Sequence, residues 1–263
     1  MKKTLNLSDA ELTLEDGIAT LYFNRDDVRN ALTGTALVDD IIATVDWVNE
    51  HHEVGALIIT GNGNAFSSGG NVKDMYDRVG MFGGNPIEIQ DRYRRGIQKM
   101  ARALYQLEVP AIAAVNGAAI GAGLDVACMC DIRIGSDHAK VGETFVNLGI
   151  IPGDGGAWFL PRVVGKQRAA EMTFSGRIVG ADEAKNIGLF LEVVPAAELI
   201  PYAKNMAAEF AKKPREALRI SKRLLQVSER LELPDFLDFC AAQQSLCHTH
   251  EQHHQALGRF LNK

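Results

Sequence analysis

The chain has 263 residues, 46% of them hydrophobic and 23% charged, which is ordinary globular composition and enough for one large domain or two small ones. Its 28 basic and 33 acidic residues leave a net charge of −5. Disordered, collagen-like and low-complexity chains are excluded, and so is the general basic footprint of a nucleic-acid binder.

In chain order, two periodicities alternate through the first half. Ala19 to Phe23 reads as a strand, and Ala36 to Val48 as a helix with Leu37, Ile41, Val45 and Val48 on one face. Val54 to Thr60 is a short aliphatic strand running into a turn at Gly61-Asn-Gly63-Asn. Ile89 to Leu107 is helical, Ala111 to Val115 is a buried strand, and a glycine-studded stretch opens a helix near Ala122. Ile132 to Gly135 reads as a further strand end. This alternation predicts an α/β core with buried strands. Beyond Gly165 the pattern turns helical: Gln167–Phe174, Gly180–Ile187, Ala197–Lys212, Glu216–Glu229 and Pro234–Leu261, punctuated by Gly176, Gly188, Pro195, Pro214 and Pro234. One α/β core over residues 1–195, followed by a helical subdomain over 196–263, is the economical division.

The N-terminus meets Asp9 before any apolar core could form, so it does not read as a signal peptide. Val109 to Leu124 is uncharged for 16 residues but holds Asn116, Gly117, Gly121 and Gly123, and reads as a buried segment. Cys128, Cys130, Cys240 and Cys247 form no Cys-x-x-Cys pair. Free thiols in a reducing compartment, and hence a cytoplasmic protein, are the expectation.

Eleven of the 25 glycines fall in three stretches: 61 to 70, 117 to 123 and 149 to 156. The first follows a strand, but Phe66 stands where a dinucleotide fingerprint needs its third glycine, and no Gly-Lys-Ser/Thr ending makes a P-loop. It reads either as a plain surface turn or as a loop in which Gly69-Gly70 brings backbone close to a ligand and offers an N–H. The second runs from a buried strand into a helix, whose first N–H groups lack partners and carry partial positive charge. Tight helix–strand packing would also need small residues there. Asp125 lies about one turn beyond Ala122, beside whatever that N–H binds, or as an acid favoured near a helix start. The third, Leu148 to Gly156, holds a single carboxylate, Asp154, in a position where a turn or cap residue is the commoner role.

In order and spacing, Phe66-Ser-Ser-Gly-Gly-Asn-Val-Lys-Asp-Met75, Asn116-Gly-Ala-Ala-Ile-Gly-Ala-Gly123 and Leu148-Gly-Ile-Ile-Pro-Gly-Asp-Gly-Gly156 resemble the signature stretches of the crotonase superfamily, the enoyl-CoA hydratase/isomerase family. Phe23-Asn-Arg25, Arg29-Asn-Ala-Leu32, Pro110 to Gly117 and Phe260-Leu-Asn-Lys263 extend the likeness along nearly the whole chain. The resemblance implies a crotonase-like ββα spiral core with a helical C-terminal subdomain that serves oligomerisation, as a homotrimer or a dimer of trimers. It implies an acyl-CoA substrate, with coenzyme A belonging to the substrate and no separate cofactor, metal, nucleic acid or membrane. The thioester oxygen would sit between the Gly70 and Ala122 N–H groups.

The departures lie in the acids. Hydratases of the family use two glutamates. Asp125 stands at the first of these positions on a shorter stem, and Phe145 at the second, where a ring can exchange no proton. Glu143 is two residues away, and other members use an aspartate in or beside the Pro-Gly stretch. Asp154 is therefore the preferred acid/base, with Asp125 second and Glu143 third. Enoyl-CoA hydration leads; double-bond isomerisation or thioester or β-diketone hydrolysis through Asp154 are the alternatives, and a catalytically silent CoA-binding relative is the alternative of another class. By resemblance, Arg29 lies near the CoA phosphates. Ser68, Gly70, Asn71 and Val72 line the adenine pocket, and Phe260 and Lys263 reach the CoA of a neighbouring subunit.

His250-Glu251-Gln252-His253-His254 matches the zinc-protease pattern His-Glu-x-x-His by letter. Three protein ligands are expected of such a site, and no His, Asp or Glu follows. These read as histidines on a polar helical face.

Overall fold

A computed structural model describes residues 2–262, with nothing to be said of the side chains of 2–4. The strands are β1 (Lys2–Leu5), β2 (Ala10–Glu15), β3 (Ile18–Phe23), β4 (Ala56–Gly61), β5 (Ala65–Ser67), β6 (Ala111–Val115), β7 (Ala118–Ile120), β8 (Ile132–Ser136), β9 (Lys140–Gly142), β10 (Val179–Gly180) and β11 (Glu192–Val194). The α-helices through the first half are α1 (Leu37–Glu50), α2 (Val72–Asp77), α3 (Pro86–Arg95), α4 (Ile97–Tyr105) and α5 (Ala122–Met129). Those of the second half are α6 (Gly156–Val164), α7 (Lys166–Ser175), α8 (Ala181–Asn186), α9 (Leu199–Ala211), α10 (Arg215–Ser228), α11 (Leu233–Thr249) and α12 (Glu251–Leu261).

The strands feed two sheets in alternation. One has seven strands in the order β1-β2-β3-β4-β6-β8-β11, and the other has four in the order β10-β9-β7-β5. Each turn of the chain lays a strand in the large sheet, the next strand in the small one, and then a helix: β4-β5-α2, β6-β7-α5, β8-β9-α6. This is the expected ββα spiral. From β3 to β11 the large sheet is parallel, and β4 and β6 are buried along their whole length. Strands covered on both faces have no need of polar alternation, which is why Ala-Leu-Ile-Ile-Thr-Gly and Ala-Ile-Ala-Ala-Val are nearly continuous apolar runs.

Two apolar layers flank the large sheet. Leu21, Phe23, Leu57, Ile59 and Val115 face the main core with Ile41, Val45, Phe66, Met100 and Leu124. Ile18, Ile58, Ile112 and Ile134 face the other way, onto Leu199, Ala203 and Ala207 of α9. Division at residue 195 would have put α9 in the C-terminal subdomain, yet this helix packs on the sheet itself, because its Leu-Ala-Ala stripe is the cover for that face. Helix α10 is fastened by two buried cations. Arg219 reaches the carbonyls that end α1, at 3.2 Å from Val48 and 3.3 Å from His51, and pairs with Glu108. Lys222 Nζ donates to the Val109 carbonyl at 2.8 Å and to Asp131 at 2.7 Å.

Two expected helices are each divided. The Ile89–Leu107 stretch breaks at Gly96, whose φ −105°, ψ −110° is not helical. The α3 segment starts earlier than its apolar pattern, at an Asn85–Glu88 capping box with Pro86 in the first turn. The last stretch breaks at His250, extended at φ −79°, ψ 138°. The His250 ring accepts the Gln252 N–H at 3.2 Å as an N-cap, so His250 and His254 do not share a continuous helical face. No helix among the described residues is long and apolar enough to cross a membrane.

Candidate active site

The small sheet explains why segments far apart in sequence meet. Strands β5, β7 and β9 are parallel neighbours, with Ser67 opposite Ala119 and Ile120 opposite Gly142. Their carboxyl ends therefore open at one edge and release, side by side, the 68–70 loop, the start of α5 and Glu143. The Gly121 N–H donates to the Gly142 carbonyl at 2.8 Å, tying the second to the third. Gly69 lies against the second: a Cβ there would come within 3.0 Å of the Ala122 nitrogen, and its φ is +76°. Gly121 holds φ +54°, ψ −124°, a backbone that turns the chain sharply into α5 and that side-chain-bearing residues rarely adopt.

The Gly70 and Ala122 N–H groups, the two expected oxyanion donors, give their protons to no acceptor among the described residues. Their neighbours are engaged: Gly69 N–H donates to Ser67 Oγ at 3.1 Å and Asn71 N–H to Thr33 Oγ1 at 2.7 Å. Ala122 is the first residue of α5, so the helix dipole adds to its N–H.

The three candidate acids, Asp125, Glu143 and Asp154, come together. A side chain added at Gly156, the first residue of α6, would run into both Asp125 Oδ1 and Glu143 Oε1. Asp125 lies beside both Asp154 and Glu143, near enough for a proton on one carboxyl to be shared with the next. Asp125 and Glu143 are wholly buried (0% exposed), Asp154 nearly so, and no other group among the described residues donates to their side-chain oxygens. Burial, together with the negative neighbours Asp154 and Glu143, holds the Asp125 carboxyl well above the usual range. Burial pushes Glu143 up to about 7, and raises Asp154 against the opposing influence of the neighbouring Asp125. All three carboxyls are thus shifted toward holding their protons more tightly than free acids, the direction that acid/base work requires.

Phe145 takes no part in proton exchange. Its ring lies over Gly121, about 3.5 Å from where a Cβ would stand, and covers the turn into α5 from the side. Glu143, two residues earlier, delivers a carboxylate to the cluster.

Three cavities surround the site. Arg29, Ser68, Gly70, Asn71 and Val72, all expected at CoA, line one of about 330 Å³. Val72 also borders a second, of about 560 Å³, with Met75, Phe82, Tyr93 and Ile150. Asp154 borders a third, of about 430 Å³. Arg29 holds a left-handed φ of +55°, and its carbonyl accepts the Ser68 N–H at 2.9 Å. Asn71 caps α2 by accepting the Lys73 N–H at 3.0 Å and the Asp74 N–H at 3.3 Å, so its side chain has a structural task as well. Phe260 sits exposed in the last turn of α12 and does not line these cavities of its own chain. Lys263 lies outside the described residues. Among the described residues no group of three His, Cys, Asp or Glu side chains is placed to hold a metal ion.

Sequence reading missed Tyr93, whose ring lies 3.4 Å from a Cβ position at Gly153 and whose phenol is raised by burial and the Asp154 charge. No local pattern marks it, because it reaches the site from α3 only through tertiary packing. Gly156 was visible only as one glycine among several. The free thiols Cys128 and Cys130 are buried and pushed up to about 12 by that burial, which leaves them inert.

A two-sheet ββα spiral that gathers free amide donors and buried carboxyls at one sheet edge defines the crotonase class of enzymes. The chain belongs to the enoyl-CoA hydratase/isomerase family, whose sequence model matches residues 13–263. It is similar to the crotonyl-CoA hydratase of Syntrophomonas wolfei, 35% identical over 96% of this chain and 94% of that protein. It is likewise similar to the short-chain-enoyl-CoA hydratase of Clostridium acetobutylicum, 34% identical over 98% of this chain and 97% of that one. Among solved structures, the enoyl-CoA hydratase of Bacillus anthracis superposes with a TM-score of 0.89 at 28% identity, covering 97% of this chain and 96% of that one.

Proposed function

We propose that this enzyme adds water across the α,β double bond of an enoyl-CoA thioester. The observation that carries this reading is the buried Asp125–Glu143–Asp154 cluster, one helical turn beyond the unengaged Ala122 N–H. Hydroxide from water joins Cβ, its proton goes to Cα, and the negative charge passes through the thioester oxygen. The Gly70 and Ala122 N–H groups meet that charge, each worth roughly 3–4 kcal/mol in sites of this kind. Asp154 borders a cavity and exchanges protons with water and substrate; Asp125 and Glu143, packed beside it, tune its proton balance. Burying three carboxyls without a cation costs stability, which a silent CoA-binding relative would have no reason to bear.

Arg29, Ser68, Gly70, Asn71 and Val72 receive the CoA, and the chemistry needs no cofactor beyond that carrier. The C-terminal helices carry exposed Leu233, Leu237, Leu246, Leu257, Phe260 and Leu261, suited to assembly as a homotrimer or dimer of trimers, with Phe260 and Lys263 turned to a neighbour's CoA. The unpaired cysteines suit the cytoplasm. Isomerisation is the second reading, favoured by Asp154 alone of the three acids bordering a cavity. Product analysis with crotonyl-CoA discriminates the two, since hydration adds water at Cβ whereas migration of the double bond to 3-butenoyl-CoA adds none. Loss of the conjugated thioester absorbance with formation of 3-hydroxybutyryl-CoA is expected. Its absence, alongside migration of the double bond in a longer enoyl-CoA, would overturn hydration.

A further inference from the structure

The cavity bordered by Asp154 has a composition that the reaction itself does not explain. Its volume of about 430 Å³ is within the range of small-molecule sites. Tyr105, Trp158 and Phe159 wall it, with Trp158 edge-on to both other rings at centroid distances of 5.4 and 4.7 Å. Arg102 and Arg230 also line it. Both are exposed, and neither has an acidic partner among the described residues. Arg102 donates to the Arg94 carbonyl at 2.5 Å, and the Arg230 guanidinium donates to nothing described. The neighbouring Arg162 differs: it pairs with Glu229 at 3.1 Å and stacks on Trp158 at 3.7 Å. Two guanidiniums without acidic partners on the lining of one largely apolar cavity leave positive charge there that a bound anion would neutralise.

We propose that this cavity receives the far end of the acyl chain and selects enoyl-CoA substrates ending in a carboxylate. The inference rests on the hydratase reading, which puts the reacting carbons at Asp154, so that chain beyond Cβ continues into this cavity. The methylenes would lie between the aromatic walls, and the terminal carboxylate would meet the Arg102 and Arg230 forks. Asp154 is the one acid on the described lining, and its side-chain oxygens are buried beside Asp125 and away from solvent.

The test compares kcat/KM for two six-carbon 2-enoyl-CoA thioesters, one ending in methyl and one in carboxylate, with crotonyl-CoA in the same series. The wild type should favour the carboxylate-ended substrate by about tenfold at low salt, if each exposed guanidinium contributes in the ordinary surface range. That preference should shrink as salt rises. The double variant Arg102→Gln/Arg230→Gln should bring the ratio to about one, and the Lys/Lys variant should retain part of it. Equal or better use of the methyl-ended substrate by the wild type, or an unchanged ratio in the double Gln variant, overturns the inference. Crotonyl-CoA turnover without any preference refutes this cavity's role alone, whereas no hydration of any of the three substrates refutes the proposed function.

Discussion

Replacing Glu143 by glutamine keeps the shape of the side chain and removes its ionisation. In the folded protein burial pushes Glu143 up to about 7, against 4.5 for an unburied glutamate. Between those values the folded state binds more protons than the unfolded chain, so stability falls as pH rises through the window and the loss is complete above it. The difference corresponds to about 3 kcal/mol. Glu143→Gln should match the wild type near pH 4.5 and exceed it by up to about 3 kcal/mol at pH 8. For a chain of this size that is roughly 6–10 °C in melting temperature. The variant also removes one negative neighbour of Asp125, which lets that carboxyl ionise at lower pH and works in the same direction. Thermal unfolding of both proteins at a series of pH values reads the effect. A gain of the same size at pH 5 and pH 8, or no gain at pH 8, would refute the picture of a proton-holding cluster.

Three further outcomes are expected. Asp154→Asn should lower kcat by about two to three orders of magnitude with CoA affinity largely intact, measured by turnover and by calorimetric binding of CoA. Unchanged turnover would remove Asp154 from the mechanism. Gly156→Ala would press a methyl onto Asp125 and Glu143 at the head of α6, and kcat should fall at least about tenfold while circular dichroism stays that of the wild type. Lys222→Met strands the Val109 carbonyl and takes the cation from the half-exposed Asp131, which keeps the Ala111 N–H, and should cost about 1–3 kcal/mol in denaturant unfolding; a loss under half a kcal/mol would show that α10 is held by apolar contacts instead.

The residues by themselves determined the repeating α/β pattern, because buried parallel strands must be short aliphatic runs and amphipathic helices must repeat their apolar face. Glycine marked the donor loops, since backbone can approach backbone there only without side chains: Gly69 beside Ala122, Gly121 at a positive φ. The breaks at Gly96 and His250 escaped detection, as helical periodicity runs through both and a single non-helical residue leaves it intact. The place of α9 was equally hidden, because an Ala-rich stripe looks the same whether it covers a sheet or another helix.

The acids divide most clearly. Sequence order could rank Asp154, Asp125 and Glu143 by their distance from a motif, and Phe145 looked like a missing partner. Only the packing of α6 on α5 at the carboxyl edge of the small sheet brings all three carboxyls into one dry cluster. Their altered ionisation arises from that shared burial, and so do Tyr93 and the cavity beside Asp154. Loop chemistry is local and is written in neighbouring residues; desolvation and proton sharing depend on groups from distant segments, so only the tertiary structure decides them.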